Sequence, residues 1–348
     1  MIFGFIFLGL IGISLIGLAM HLSRRPIRCC DDALHERLTS TGMSRMFILT
    51  TLMLLGLYLL IKVWSIRILP LCMRLYFTYA LTDASLGLTR FLMYRNLSID
   101  MELQPLFKVR RLLTVYKADF IGILIAIPID LCYWSTDNWL ISNILAAVVA
   151  LHLMLYIRFT SLGYSSILLM AFFVYDVFFV FYTPVMTTVA TSINIPIKLV
   201  WPRSLTNFTL LGSAQEKDRY SFLGLGDIVI PGLYLTLLVR MEETLKIAPE
   251  SLSRPFCVAR RGLFAYGLAL VTTVSSLLFM KVAQPALLYI VPAILSTVYG
   301  SIWIKHTTAD RKAIFKYDED RLSIRPFRQG TSSGSDSAPN RPAESHQE

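Results

Sequence analysis

The feature that most constrains this chain is a succession of apolar runs, each about as long as a bilayer is thick. Nine stretches have this character: 2–21, 46–66, 69–89, 118–135, 139–157, 162–183, 220–240, 261–281 and 284–304. About 20 residues of helix cross a hydrocarbon core of about 30 Å. Hydrocarbon offers no partner to backbone N–H and C=O groups, so each run is forced into a helix. The sequence therefore predicts an all-α polytopic membrane protein with nine transmembrane helices. Composition agrees, with 55% of the 348 residues hydrophobic and 16% charged, unlike an ordinary soluble domain. The third run is the least apolar, because it carries Arg74 and Asp83.

A net charge of +10 raises nucleic acid as a partner, and the distribution of charge answers it. With the N-terminus outside, 25 of the 33 Lys and Arg residues fall in 22–45, 90–117, 158–161, 240–261 and from 305 onward. These are the cytosolic segments of that topology. The Lys/Arg bias of cytosolic loops then orients the chain N-out and C-in, and no nucleic-acid partner is expected. The opening run has no basic leader and is followed by Arg24 and Arg25, so it reads as an uncleaved anchor. Cys29, Cys30, Cys72, Cys132 and Cys257 show neither a disulfide framework nor metal spacing. Cys29 and Cys30 read as idle thiols, with palmitoylation as the alternative. No cofactor or metal is implied.

Ionisable groups inside such runs cost at least about 2.5–3.5 kcal/mol on insertion scales, so each is a candidate functional residue. Asp227 lies in SFLGLGDIVIPG (221–232) and Asp176 in AFFVYDVFFVF (171–181). Gly224 and Gly226 let another backbone or a substrate come close to Asp227. Pro231, four residues on, has no N–H for the Asp227 carbonyl, which loosens the helix at the aspartate. The depths follow from a rise of 1.5 Å per residue, with antiparallel spans starting near Tyr164 and Tyr220. Asp176 and Asp227 then lie roughly 18 and 20 Å from the same face. The two carboxylates are expected at one level, in one shared site.

Other polar groups read more plainly. Asp83 and Asp130 read as polar helix contacts or water-facing positions, Asp130 near the outer end of its helix. His152 lacks ligand-spaced partners and reads as a hydrogen-bonded helix contact. Lys62 sits where it can snorkel. In the outer segment 184–219, IPIKLVWP is too short to span and reads as a strand or an interfacial stretch. Asn207 and Asn96 fit glycosylation sequons, the second on the cytosolic side. Gln284-Pro285 breaks the helix at the start of the last run, and the tail from about Asp318 reads as disordered.

Taken together, Tyr175–Asp176, Gly224–Asp227 (GxGD) and Pro285–Ala286–Leu287 (PAL) resemble the presenilin/signal peptide peptidase family of intramembrane aspartyl proteases. The flanks FFVYDVF, PIKLVWP, GLGDIVIPG and AQPALLYIVP are similar to the signal peptide peptidase branch. The resemblance implies a presenilin-like fold, with helices 1–5 (1–161) as scaffold and helices 6–9 (162–304) as the catalytic part. A cytosolic tail (305–348) follows. It also implies Asp176 and Asp227 as catalytic residues, with Tyr175, Gly224, Gly226, Gln284, Pro285, Ala286 and Leu287 shaping the site and contacting substrate. The implied substrates are transmembrane peptides of type II orientation, such as remnant signal peptides and short anchors. The implied location is the endoplasmic reticulum membrane, among membrane lipids, with a homo-oligomer left open. Two departures, a tail without a dilysine ending and no glycosylated N-terminal extension, bear on localisation and not on chemistry.

The chemistry needs one carboxylate to take a proton from water and the other to protonate the carbonyl oxygen. Close carboxylates share a proton and titrate as a unit, so the sequence leaves open which is the base. His35-Glu36 has no second histidine at HExxH spacing, and no GxSG-like serine lies in a span. A proton-coupled transporter would use the two aspartates but not the glycines and PAL together. A non-proteolytic scaffold would need neither aspartate.

Overall fold

The computed structural model describes residues 2–24, 36–38, 40–63, 78–89, 91, 107–109, 113–115, 117–136, 138–183, 198–202, 220–247, 257–280 and 284–316. Among them the helices are α1 (Ile2–Leu22), α2 (Ser40–Val63), α3 (78–89), α4 (Lys117–Thr136), α5 (Trp139–Tyr156), α6 (Leu162–Phe181), α7 (Gly226–Ile247), α8 (Ala259–Met280), α9 (Leu287–Lys305) and α10 (Thr308–Lys316). The strands β1 (Glu36–Leu38), β2 (Phe107–Val109), β3 (Leu113–Val115), β4 (Ile157–Phe159), β5 (Lys198–Pro202) and β6 (Tyr220–Gly224) form three two-stranded ribbons. β1 and β4 are parallel, while β2–β3 and β5–β6 are antiparallel.

The chain is organised around α7. Every residue from Leu233 to Met241 is buried, as expected of a helix that is apolar on nearly every side, with Thr236 and Arg240 as the polar members of the stretch. α1, α5, α6, α8 and α9 pack around it. These five are also the helices long and apolar enough to cross a membrane. Their outer faces expose large apolar side chains such as Leu10, Ile167, Phe178, Phe264, Leu268 and Trp303, a surface that suits lipid rather than water. α2 and α4 contain shorter apolar stretches, Thr41–Gly56 and Gly122–Ser135. Of the nine expected spans, five therefore meet both length and composition among the described residues.

Close helix approach depends on small residues. A Cβ on Gly232 would strike Met154 of α5, and one on Gly262 would strike Leu235 of α7. A second, smaller core of Leu81, Tyr133 and Leu145 joins α3 and α4 to α5. There the Thr82 hydroxyl donates to Asp130 Oδ2 at 3.1 Å. Asp130 is buried, so it is a polar helix contact and not a water-facing group. His152 packs against Gly87 and stacks on Tyr156 with ring centroids 5.3 Å apart. Asp83 is exposed.

One boundary departs from expectation. Residues 220–224, read as the start of the seventh span, form β6 and pair with β5 from Lys198↔Gly224 to Pro202↔Tyr220. Lys198–Pro202, the described part of the IPIKLVWP stretch, is thus a strand, and it captures the residues that precede α7. Apolar alternation in YSFLG serves an extended ribbon as well as a helix. Asn143 of α5 fixes the ribbon by donating to the Val200 carbonyl at 2.7 Å and accepting from the Val200 N–H at 2.8 Å. Cys29, Cys30, Cys72, Arg74, Asn96, Asn207, residues 69–77 of the third run and the tail beyond 316 lie outside the described residues, as does the Lys62 side chain.

Candidate active site

Three segments converge beside the N-terminal end of α7. Asp176 lies in the last two turns of α6, 5% exposed, on the face turned towards α9. Its Oδ2 accepts the Leu287 backbone N–H at 3.1 Å. Leu287 is the first helical residue of α9, with Ala286 in the N-cap position. Its N–H therefore belongs to the set that no upstream carbonyl of the helix can satisfy. Pro285 makes this possible by stopping the chain from entering the helix earlier. The Pro285 and Ala286 carbonyls accept the Leu288 and Tyr289 N–H groups at 3.3 and 3.2 Å.

Asp227 is the second residue of α7. It is half-buried, and its carboxylate lies within electrostatic reach of Asp176. The depth expected from the sequence rested on a helix starting near Tyr220; because residues 220–224 form β6, Asp227 falls in the first turn of its helix rather than seven residues into it. A carboxylate in a helix's first turn also meets the positive end of the helix dipole.

The two glycines differ in role. A Cβ on Gly224 would lie 3.2 Å from Asp227 Oδ2, so only hydrogen leaves the carboxylate its place. A Cβ on Gly226 would meet nothing nearer than Ile230 Cδ1 at 4.0 Å, and Gly226 is exposed. Gly226 thus borders open space beside the carboxylates. Tyr175 packs into an aromatic cluster with Phe47 of α2, Phe172 and Phe179, at centroid distances of 6.1, 6.3 and 4.5 Å. Gln284 donates to Met280 Sδ at 3.5 Å. Among the described residues no group of three or more His, Cys, Asp or Glu is placed to hold a metal ion.

The family model of signal peptide peptidases matches residues 31–321. The chain belongs to the signal peptide peptidase family of intramembrane proteases. The mouse signal peptide peptidase is 30% identical over 284 residues, covering 77% of this chain and 72% of that protein. The human signal peptide peptidase is 28% identical over 326 residues, 88% of this chain and 83% of that protein. A relative from Schizosaccharomyces pombe, named among the intramembrane proteases, is 39% identical over 193 residues, 55% of this chain and 61% of that protein. Membership favours a protease over a transporter or scaffold.

Several residues that tie the site's helices together escaped sequence reasoning. The Tyr266 hydroxyl of α8 donates to the Asp227 carbonyl at 3.3 Å. Ser166 of α6 joins Tyr234 of α7, at 3.1 Å, to Tyr299 of α9, at 2.9 Å. One hydroxyl thus ties together the three helices that bear the three motifs. Hydroxyl side chains are common in apolar spans, and nothing in linear spacing pairs residues 68 and 133 positions apart.

Proposed function

We propose that this chain is an aspartyl intramembrane protease whose catalytic pair is Asp176 and Asp227. The observation that carries the reading is the Leu287 N–H to Asp176 Oδ2 hydrogen bond, formed where Asp227 is within electrostatic reach. One carboxylate takes a proton from water as the oxygen attacks the scissile carbonyl carbon, and the other protonates the carbonyl oxygen. The tetrahedral diol then collapses. Its C–N bond breaks: the carboxyl that gained the water proton delivers it to the leaving nitrogen, and the other carboxylate takes back a proton from a diol hydroxyl as the C=O bond re-forms. No cofactor enters.

A transmembrane substrate must unwind, because a helix hides its peptide bonds. β6 pairs only with β5 among the described residues and ends two residues before α7 starts. An extended substrate segment added to this edge would be led to Asp227. Gly226 leaves room for it, and Pro285, Ala286 and Tyr175 border the place it reaches. The reading includes a nine-span presenilin-like architecture, N-out and C-in, and substrates of type II orientation such as remnant signal peptides and short anchors. The endoplasmic reticulum membrane is their natural location.

The test uses the purified chain in lipid with a type II signal-peptide reporter and the same segment in reversed orientation. Wild type cuts the type II form within its apolar segment, and Asp176→Ala and Asp227→Ala do not. Equal cutting of both orientations refutes the substrate class. Cutting by either variant at the wild-type rate refutes the catalytic pair.

A further inference from the structure

We propose that Tyr266 is a positioning residue for Asp227, acting through the Asp227 main-chain carbonyl that Pro231 leaves without a donor. The proposal rests on the reading of Asp227 as catalytic and extends it to a third helix.

In a regular helix the Asp227 carbonyl would accept the N–H of residue 231. That residue is proline, which has none. A buried carbonyl without a partner costs about 1–3 kcal/mol, and at this part-buried carbonyl a donor from a neighbouring helix offsets some of that cost. The loss also falls at a sensitive place. Ile228 and Val229 both donate to the Leu225 carbonyl, at 3.1 and 2.9 Å, which secures the start of α7 from below. Without a second anchor the peptide plane after Asp227 could tilt and carry the carboxylate with it.

Tyr266 supplies that anchor from α8. Its side chain is 0% exposed, and its hydroxyl donates to the Asp227 carbonyl at 3.3 Å. The same hydroxyl is within electrostatic reach of the Asp227 carboxylate. The fold keeps space for it. A Cβ on Gly12 of α1 would lie 3.3 Å from the Tyr266 hydroxyl and 3.6 Å from Ile228 Cδ1. The proline creates the need, the tyrosine meets it, and the glycine clears the path. A tyrosine present only to fill the core would have no reason to aim its hydroxyl at the one first-turn carbonyl whose helical donor is missing.

The arrangement makes an unusual genetic prediction. Tyr266→Phe keeps the ring and removes only the donor. Pro231→Ala returns an N–H to the position from which the helix itself serves the Asp227 carbonyl. The second change should therefore suppress the first. The full chain in lipid is assayed on the signal-peptide reporter as wild type, Tyr266→Phe, Pro231→Ala, the double variant and Asp227→Asn. Tyr266→Phe is expected to lower kcat about tenfold while KM stays within about twofold, as for a misplaced reacting group. Pro231→Ala is expected within about threefold of wild type, and the double variant within about twofold of Pro231→Ala, since the donor is again present. Wild-type kcat in Tyr266→Phe overturns the proposal. So does an inactive Pro231→Ala, or a tenfold loss that persists in the double variant, which would mark a packing defect. Asp227→Asn separates the two levels. If it cleaves normally, the catalytic reading fails; if it is inactive and Tyr266→Phe is normal, only the role of Tyr266 fails.

Discussion

The Leu287 backbone N–H donates to Asp176 Oδ2 at 3.1 Å, across 111 residues of sequence. The donor is main chain, so side-chain exchange at 287 leaves it in place. Replacing the Leu287 amide with an ester, through the α-hydroxy analogue of leucine, removes the N–H and little else. A hydrogen bond to a charged group contributes about 1.5–3 kcal/mol, so kcat should fall roughly 10- to 100-fold. Leu287→Ala retains the donor and should lose stability more than kcat. Single-turnover cleavage and thermal unfolding of both variants check this. An ester variant with wild-type kcat would show the bond to be incidental.

Gly224 and Gly226 should separate cleanly. A methyl group at 224 presses on Asp227 Oδ2, whereas one at 226 enters open space. Gly224→Ala is expected to lower kcat about tenfold or more, by displacing the carboxylate by a few tenths of an ångström. Gly226→Ala should keep kcat within about threefold and instead raise KM or move the cleavage position, since it narrows the space beside the pair. Steady-state kinetics with mass mapping of the products distinguishes these outcomes. Equal effects at the two positions would contradict the geometry.

Ser166 holds Tyr234 and Tyr299 on one hydroxyl. Ser166→Ala takes this partner from buried Tyr234 and from part-buried Tyr299, whereas Tyr299→Phe leaves Ser166 still bonded to Tyr234 and to the Leu162 carbonyl. Polar contacts between membrane helices average about 0.6 kcal/mol and reach about 1.7. Ser166→Ala should therefore approach the upper figure and Tyr299→Phe stay near the lower one, by unfolding in detergent. The reverse order would mean that Ser166 is not the junction.

Glu242, near the end of α7, is buried and accepts the N–H groups of Val258 and Ala259 at 2.5 and 2.7 Å. It caps α8, the helix that carries Tyr266. Charge-assisted caps are stronger than neutral ones. Glu242→Ala should cost about 2 kcal/mol of stability, and Glu242→Gln less, because an amide oxygen still accepts. Unfolding midpoints of the two variants check the order, and equal midpoints with wild type would remove the cap from the account.

What the sequence disclosed and what it hid follow from one physical distinction. Asp176 and Asp227 were legible because a charge in an apolar run is costly where it stands; Pro285 is an ordinary residue for a helix start and stood out only through the family resemblance. Pro231 announced that the Asp227 carbonyl lacked its helical donor. It could not name Tyr266, because the replacement comes from another helix 39 residues away and one tyrosine in an apolar run looks like any other. The strand at 220–224 was hidden for a different reason. Its apolar residues satisfy a span as readily as a ribbon, and only pairing with β5 decides between them. The Thr82–Asp130 contact was readable as a polar helix contact but not as to partner.

The central claim is that Asp176 and Asp227 act as one unit. The most direct measurement is cleavage of the type II reporter by Asp176→Asn, Asp227→Asn and the double variant, with residual rates followed to the background of the uncatalysed reporter. Members of one catalytic unit are strongly non-additive. Each single change should therefore abolish cleavage by about a thousandfold or more, and the double should be no slower than the slower single. Losses that multiply, or a single variant that retains the wild-type rate, would show that the two carboxylates do not share the reaction.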